Sequence, residues 1–151
     1  MAKPGKTEKP RANEAKLKDD IVKMKFLENQ LGLAQQQLIE FDRALQELAF
    51  TKNALEEMKK LPGKKETLVP IGSGMLAPSS MEKPSTVLID VGAGVMIEKP
   101  IEEALKTLNE REKRLSDDLM KLQTQVLAVE QQYKQLASLV QSEVGDNLHV
   151  L

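Results

Sequence analysis

Residues 24–48 read MKFLENQLGLAQQQLIEFDRALQEL. Within them Met24, Leu27, Leu31, Ala34, Leu38, Phe41, Leu45 and Leu48 recur at alternating steps of three and four. That spacing draws one apolar stripe along an α-helix, and a strand cannot produce it. Toward the N-terminus Leu17 and Ile21 extend the stripe; toward the C-terminus it weakens at Lys52, resumes with Leu55 and Met58, and stops at Leu61-Pro62-Gly63. Proline lacks the amide proton a helix needs and glycine tolerates positive φ, so a helix over 12–61 is predicted, roughly 75 Å long at about 1.5 Å per residue. Residues 1–11, MAKPGKTEKPR, offer nothing to bury against the entropy of ordering and read as a disordered tail.

The far end of the chain repeats the pattern. Ile101, Leu105, Leu108, Glu112, Leu115, Leu119, Leu122, Val126, Val129, Tyr133, Leu136 and Val140 keep the same alternation, with Glu112 alone polar. A second helix is predicted over 101–144, with Gly145 as its stop and 145–151 as a flexible tail. Each stripe is too narrow for a bundle helix, so each calls for one principal partner, and the two match in length. Antiparallel fold-back of one helix on the other buries both.

Between the helices, residues 62–100 change character. Thr67-Leu-Val-Pro-Ile71, Met75-Leu-Ala77, Thr86-Val-Leu-Ile-Asp-Val91 and Val95-Met-Ile97 are short runs bounded by Gly, Pro and Ser. Gly72-Ser-Gly74 and Gly92-Ala-Gly94 each separate two such runs, which is hairpin-turn chemistry and gives two β-hairpins. Val87, Leu88 and Ile89 are apolar in succession, which implies cover on both faces, and four short strands cannot supply it. Open apolar edges invite pairing with other chains, so other copies or subunits are expected to close the sheet. The fold class is therefore α+β: a long antiparallel two-helix coiled coil with a two-hairpin oligomerisation platform between its helices.

Composition narrows the function. Of 151 residues 40% are hydrophobic and 30% charged, but only 3% are aromatic, which places burial along thin Leu-rich seams. The 22 basic and 23 acidic residues leave a net charge of -1, so no bulk positive field recommends nucleic acid or an anionic membrane. Cysteine is absent and His149 is the single histidine, leaving no thiol chemistry and no ordinary metal ligand set. The N-terminus lacks a signal-peptide core and no apolar run approaches the roughly 20 residues of a membrane span, so the expected location is cytoplasmic.

Gly5-Lys6-Thr7 carries the tail of a phosphate-binding loop without its first glycine or a preceding strand, and the two Gly-x-Gly units precede strands, not helices. The former is set aside and the latter read as turns. Asp19-Asp20 and Asp117-Asp118 read as solvated helix faces, and no nucleophile, base and orienting group can be assembled, so neither catalytic residue nor cofactor is predicted. What remains is apolar surface. Leu17, Ile21, Met24, Leu136, Val140 and Val144 lie where the coiled coil frays, and such residues on flexible helix ends suit binding of unfolded polypeptide.

The chain resembles an α-type prefoldin subunit over roughly residues 14–144, most specifically in Glu66-Thr-Leu-Val-Pro-Ile-Gly-Ser-Gly-Met75 and Val87-Leu-Ile-Asp-Val-Gly-Ala-Gly-Val-Met-Ile-Glu-Lys99, which look like that family's two hairpins. The resemblance implies a heterohexamer of two α-type and four β-type subunits whose hairpins form intersubunit β-barrels. It also implies capture of unfolded clients at the coiled-coil tips and delivery to a group II chaperonin without ATP. On that basis the client contacts map to the six residues just named, and the assembly contacts to Leu68, Val69, Ile71, Val87, Leu88, Ile89, Val91, Val95 and Ile97. The alternative is a structural filament or scaffold subunit in which the same hairpins polymerise.

Overall fold

A computed structural model describes the backbone of residues 8–149 and the side chains of residues 12–146. The chain runs α1 (Glu8–Lys59), β1 (Lys64–Gly72), β2 (Met75–Glu82), β3 (Thr86–Asp90), β4 (Met96–Pro100) and α2 (Ile101–His149). Two long helices thus flank two antiparallel hairpins, β1–β2 and β3–β4, each a separate two-stranded sheet.

Both helices reach beyond the predicted bounds. α1 takes in residues 8–11, assigned from sequence to the tail; Pro10 is tolerated because its missing amide falls in the first turn, where the donors have no intrahelical partner. Residues 1–7, which include Gly5-Lys6-Thr7, lie outside the described residues. α2 passes through Gly145 to His149, the last described residue. Glycine inside a helix costs only about 1 kcal/mol relative to alanine, and Gly145 is not among the glycines with positive φ, so it does not act as a stop. The side chain of His149 and residues 150–151 also lie outside the description. α1 ends at Lys59, two residues before the expected bound: Lys60 N donates to Glu57 O (3.1 Å) and Leu61 N to Met58 O (3.3 Å), tightening the last turn, before Gly63 turns away at φ 113°.

The hairpins close on two-residue loops, Ser73-Gly74 (φ 49° and 78°) and Ala93-Gly94 (φ 51° and 74°). Positive φ at both central positions matches the twist of the flanking strands. In the first hairpin the register shifts between Pro70↔Leu76 and Gly72↔Met75, leaving Ile71 as a bulge. In the second, Val95 N donates to Gly92 O (3.0 Å), and Gly92 N donates to the Asp90 carboxylate (2.8 Å), a local bond that favours the turn. The strands of the first hairpin run further than the sequence pattern indicated, to Glu82 in β2. There Lys83 N donates to Gly63 O (2.9 Å) and ties off the hairpin base.

The chain divides into two compact units. The hairpin unit, Asp42–Asp117, holds the buried core: Leu55, Ile89, Ile101, Ala104, Leu105 and Leu108, with Leu48, Met58 and Val87 packed against it. α1 and α2 run antiparallel here, as Lys52 paired with Glu112 and Lys59 with Glu102 (2.7 Å) require. Lys59 closes α1 and Glu102 opens α2, so each charge also complements its own helix dipole. The hydrogen bond to Glu102 holds the Lys59 ammonium above its ordinary pKa, against a smaller opposing effect of burial. The helical unit, residues up to Phe41 with those from Asp118, is a two-helix seam whose residues are mostly half-buried. It too is antiparallel: Tyr133 donates to Glu28 Oε1 (2.8 Å), and Lys16 lies 3.5 Å from Glu143.

Candidate functional site

Two surfaces carry uncovered apolar side chains, one in each unit. In the hairpin unit Leu68 (59% exposed), Val69, Ile71, Leu88 (64%), Val91, Val95 and Ile97, all assigned from sequence to assembly, are exposed. Val87 and Ile89 are not. Strand residues two apart share a face, and on β3 that face packs on the helices, with Ile89 buried in the core and Val87 against it. The assignment of both to assembly contacts is therefore corrected: they anchor the second hairpin to its own chain, and Leu88 points the other way. Arg111 adds a polar tie, its guanidinium donating to the Asp90 carbonyl at 3.0 Å.

The first hairpin has less support, since nearly every residue of β1 and β2 is exposed. Met75, Leu76 and Met81 join the apolar surface there, and Met96 does so on β4. Sequence reasoning placed Met75, Leu76 and Met96 on strands without assigning them to the surface. An isolated two-stranded hairpin is marginal in water, and its outer strand edges present unpaired amides and carbonyls. Apolar faces and open edges together suit pairing with another chain.

In the helical unit, Leu17, Met24, Leu136 and Val140 are half-buried in the seam, whereas Ile21 (38% exposed) and Val144 (41%) stand at its edge. The strict three-four step passes from Leu17 to Asp20 to Met24, and on α2 from Val140 to Glu143. Asp20, only 6% exposed, takes the inward place that Ile21 was given from sequence, so the reading of Asp19-Asp20 as a solvated face holds for Asp19 alone. One residue of helix is about 100° of rotation, which carries Ile21 and Val144 from the seam to its rim. The signal was present in the spacing, and polarity masked it.

The outer faces hold further apolar residues that no seam pattern marks: Val22, Phe26, Leu33, Leu127 and Leu139 are all more than half exposed. Phe26, Leu27, Leu136 and Leu139 line an open groove between the helices. Tyr133, in the seam, has its phenol pushed above the ordinary value, first by the hydrogen bond to Glu28 and further by burial and the carboxylate charge.

Among the described residues no group of three or more acidic, histidine or cysteine side chains converges to hold a metal ion. No described helix is long and apolar enough to cross a membrane.

Comparison with known proteins accounts for this layout. The family model for a prefoldin subunit matches residues 27–146. The chain is 35% identical over 119 residues to prefoldin subunit alpha of Methanocorpusculum labreanum, covering 74% of this chain and 81% of that one. It is 31% identical over 117 residues to the same subunit of Methanococcoides burtonii, covering 78% and 77%. In Archaeoglobus fulgidus the alpha subunit is 26% identical over 136 residues, covering 87% and 99%. Among solved structures, filamentous prefoldin of Methanocaldococcus jannaschii superposes with a TM-score of 0.68 at 23% identity, covering 76% of this chain and 95% of that one, a likeness of fold. Two long helices, two hairpins between them and alpha-subunit relatives at this identity lead to one conclusion: the chain belongs to the prefoldin family, as an α-type chaperone subunit and not an enzyme.

Proposed function

We propose that this chain is the α-type subunit of an ATP-independent holdase, joined through its hairpins to β-type prefoldin subunits in a heterohexamer of two α-type and four β-type chains. The hairpins combine into intersubunit barrels, and the free helix ends hold non-native polypeptides in the cytoplasm and pass them to a group II chaperonin. The supporting observation is the uncovered apolar surface at both places: on the hairpins, with their open edges, and at the helix ends around Ile21 and Val144. Leu68, Val69, Ile71, Leu88, Val91, Val95 and Ile97 are the assembly contacts. Leu17, Ile21, Met24, Leu136, Val140 and Val144 are the client contacts.

Each apolar contact contributes on the order of 1 kcal/mol, which is weak for a single pair of helices. Several such pairs on one body act together through high effective concentration, giving firm capture with easy release. Serine at Leu17, Ile21 and Met24 together is expected to leave the native mass of the assembly unchanged and to abolish suppression of client aggregation, read by light scattering. Undiminished protection by an intact assembly counts against these contacts.

A second reading is favoured by the solved relative described as filamentous. The same hairpins, pairing between copies of this chain, give an open-ended polymer. Light scattering of the chain alone over a range of concentration separates the two: steady growth indicates a filament, a fixed small mass does not.

A further inference from the structure

The seam of the helical unit contains two carboxylates where apolar side chains belong. Asp20 sits between Leu17 and Met24 and is 6% exposed; Glu143 continues the spacing from Val140, and its Oε2 is fully buried without a hydrogen-bond partner. The hairpin unit also has polar seam positions, Lys52 and Glu112, but these are opposite in charge and pair with each other. Asp20 and Glu143 have the same sign and cannot.

The cations near them are poor compensation. Lys16 Nζ is 3.5 Å from Glu143 Oε1, and Lys23 Nζ is 4.0 Å from Asp20 Oδ1 while its close contact, at 2.8 Å, is with Asp19. Both lysine side chains are at least 60% exposed, so these attractions are screened by water and salt. The Glu143 side chain keeps 28% of its surface in water and has one oxygen buried, whereas the Asp20 side chain keeps only 9%; a carboxylate withdrawn from water without full partners destabilises the closed seam, and opening restores its hydration.

We propose that Asp20 and Glu143 form a built-in weak point that keeps the seam near a balance between closed and open. When the helices part there, the carboxylates return to water and Leu17, Met24, Leu136 and Val140, half-buried when closed, become available to a non-native polypeptide. Such a client contacts those side chains only in the open state, so binding draws the equilibrium toward opening. The identity of the ligand rests on the capture reading above; the opening does not.

The test compares the full-length chain in its assembly with Asp20→Leu/Glu143→Leu and with the near-isosteric, uncharged Asp20→Asn/Glu143→Gln. Amide hydrogen exchange over residues 14–30 and 133–146 reads the opening, and aggregation suppression reads capture. Expected is slower exchange at those amides, by about tenfold or more in the leucine variant and less in the amide variant, with weakened protection of clients. Unchanged or faster exchange in both variants overturns the weak point. Slower exchange with full protection overturns its link to capture. Slower exchange in an assembly whose wild type protects no client supports the weak point and removes the capture reading alone.

Discussion

Tyr133 is the single tyrosine of the chain, so an absorbance titration of its phenolate reports on one seam position. Its hydrogen bond to Glu28 is made by the protonated phenol beside a carboxylate, and both the bond and the charge disfavour ionisation. The expected midpoint lies above the ordinary value of about 10 and falls back toward it in Glu28→Ala; a wild-type midpoint at or below the ordinary value removes the contact. Because the folded value is raised, the associated stability is fully present below the unfolded pKa and is lost as pH rises through the folded one. Near neutral pH this site makes stability no more pH-dependent. Tyr133 was legible as a seam residue because an aromatic keeps the apolar period. Asp20 and Glu143 were not, since a search for apolar stripes passes over a carboxylate in phase and accepts the neighbouring Ile21 or Val144 instead.

Among the elements, the helices of the hairpin unit meet at one polar match within the seam. Lys52 interrupts the stripe of α1 and Glu112 that of α2; in sequence they are two isolated exceptions, and in the fold they meet. Their side chains are 29% and 39% exposed, so the pair contributes about 1 kcal/mol or less to stability. A slip of one helix along the other would separate the two charges and leave each without its partner. Lys52→Glu is expected to lower the thermal midpoint by setting two carboxylates face to face, and Lys52→Glu/Glu112→Lys to restore most of it. A double variant as unstable as the single one contradicts a direct pairing. Helix type and strand type were readable from period, and the turns from Gly-Ser-Gly and Gly-Ala-Gly. The side of β3 that faces inward was not readable, because Val87, Leu88 and Ile89 are apolar alike and only the position of the helices decides between them.

For the molecule as a whole, one hairpin is anchored by Ile89 and Val87 to a small core, while the other keeps both faces in water. Apolar surface of that kind, beside open strand edges, suits cover by another chain. Sequence reasoning drew this incompleteness from the apolar run Val87-Leu88-Ile89, yet the chain's own helices cover Val87 and Ile89, and the uncovered surface lies instead on β1, β2 and at Leu88; the β-type partner belongs to the proposed function. The most direct test is native mass measurement of the chain alone and after mixing with a β-type prefoldin subunit. The account predicts a closed complex of two copies of this chain with four of the partner, in which hydrogen exchange slows along β1 and β2. A chain that remains a folded monomer in the mixture, with those strands exchanging as freely as before, contradicts it.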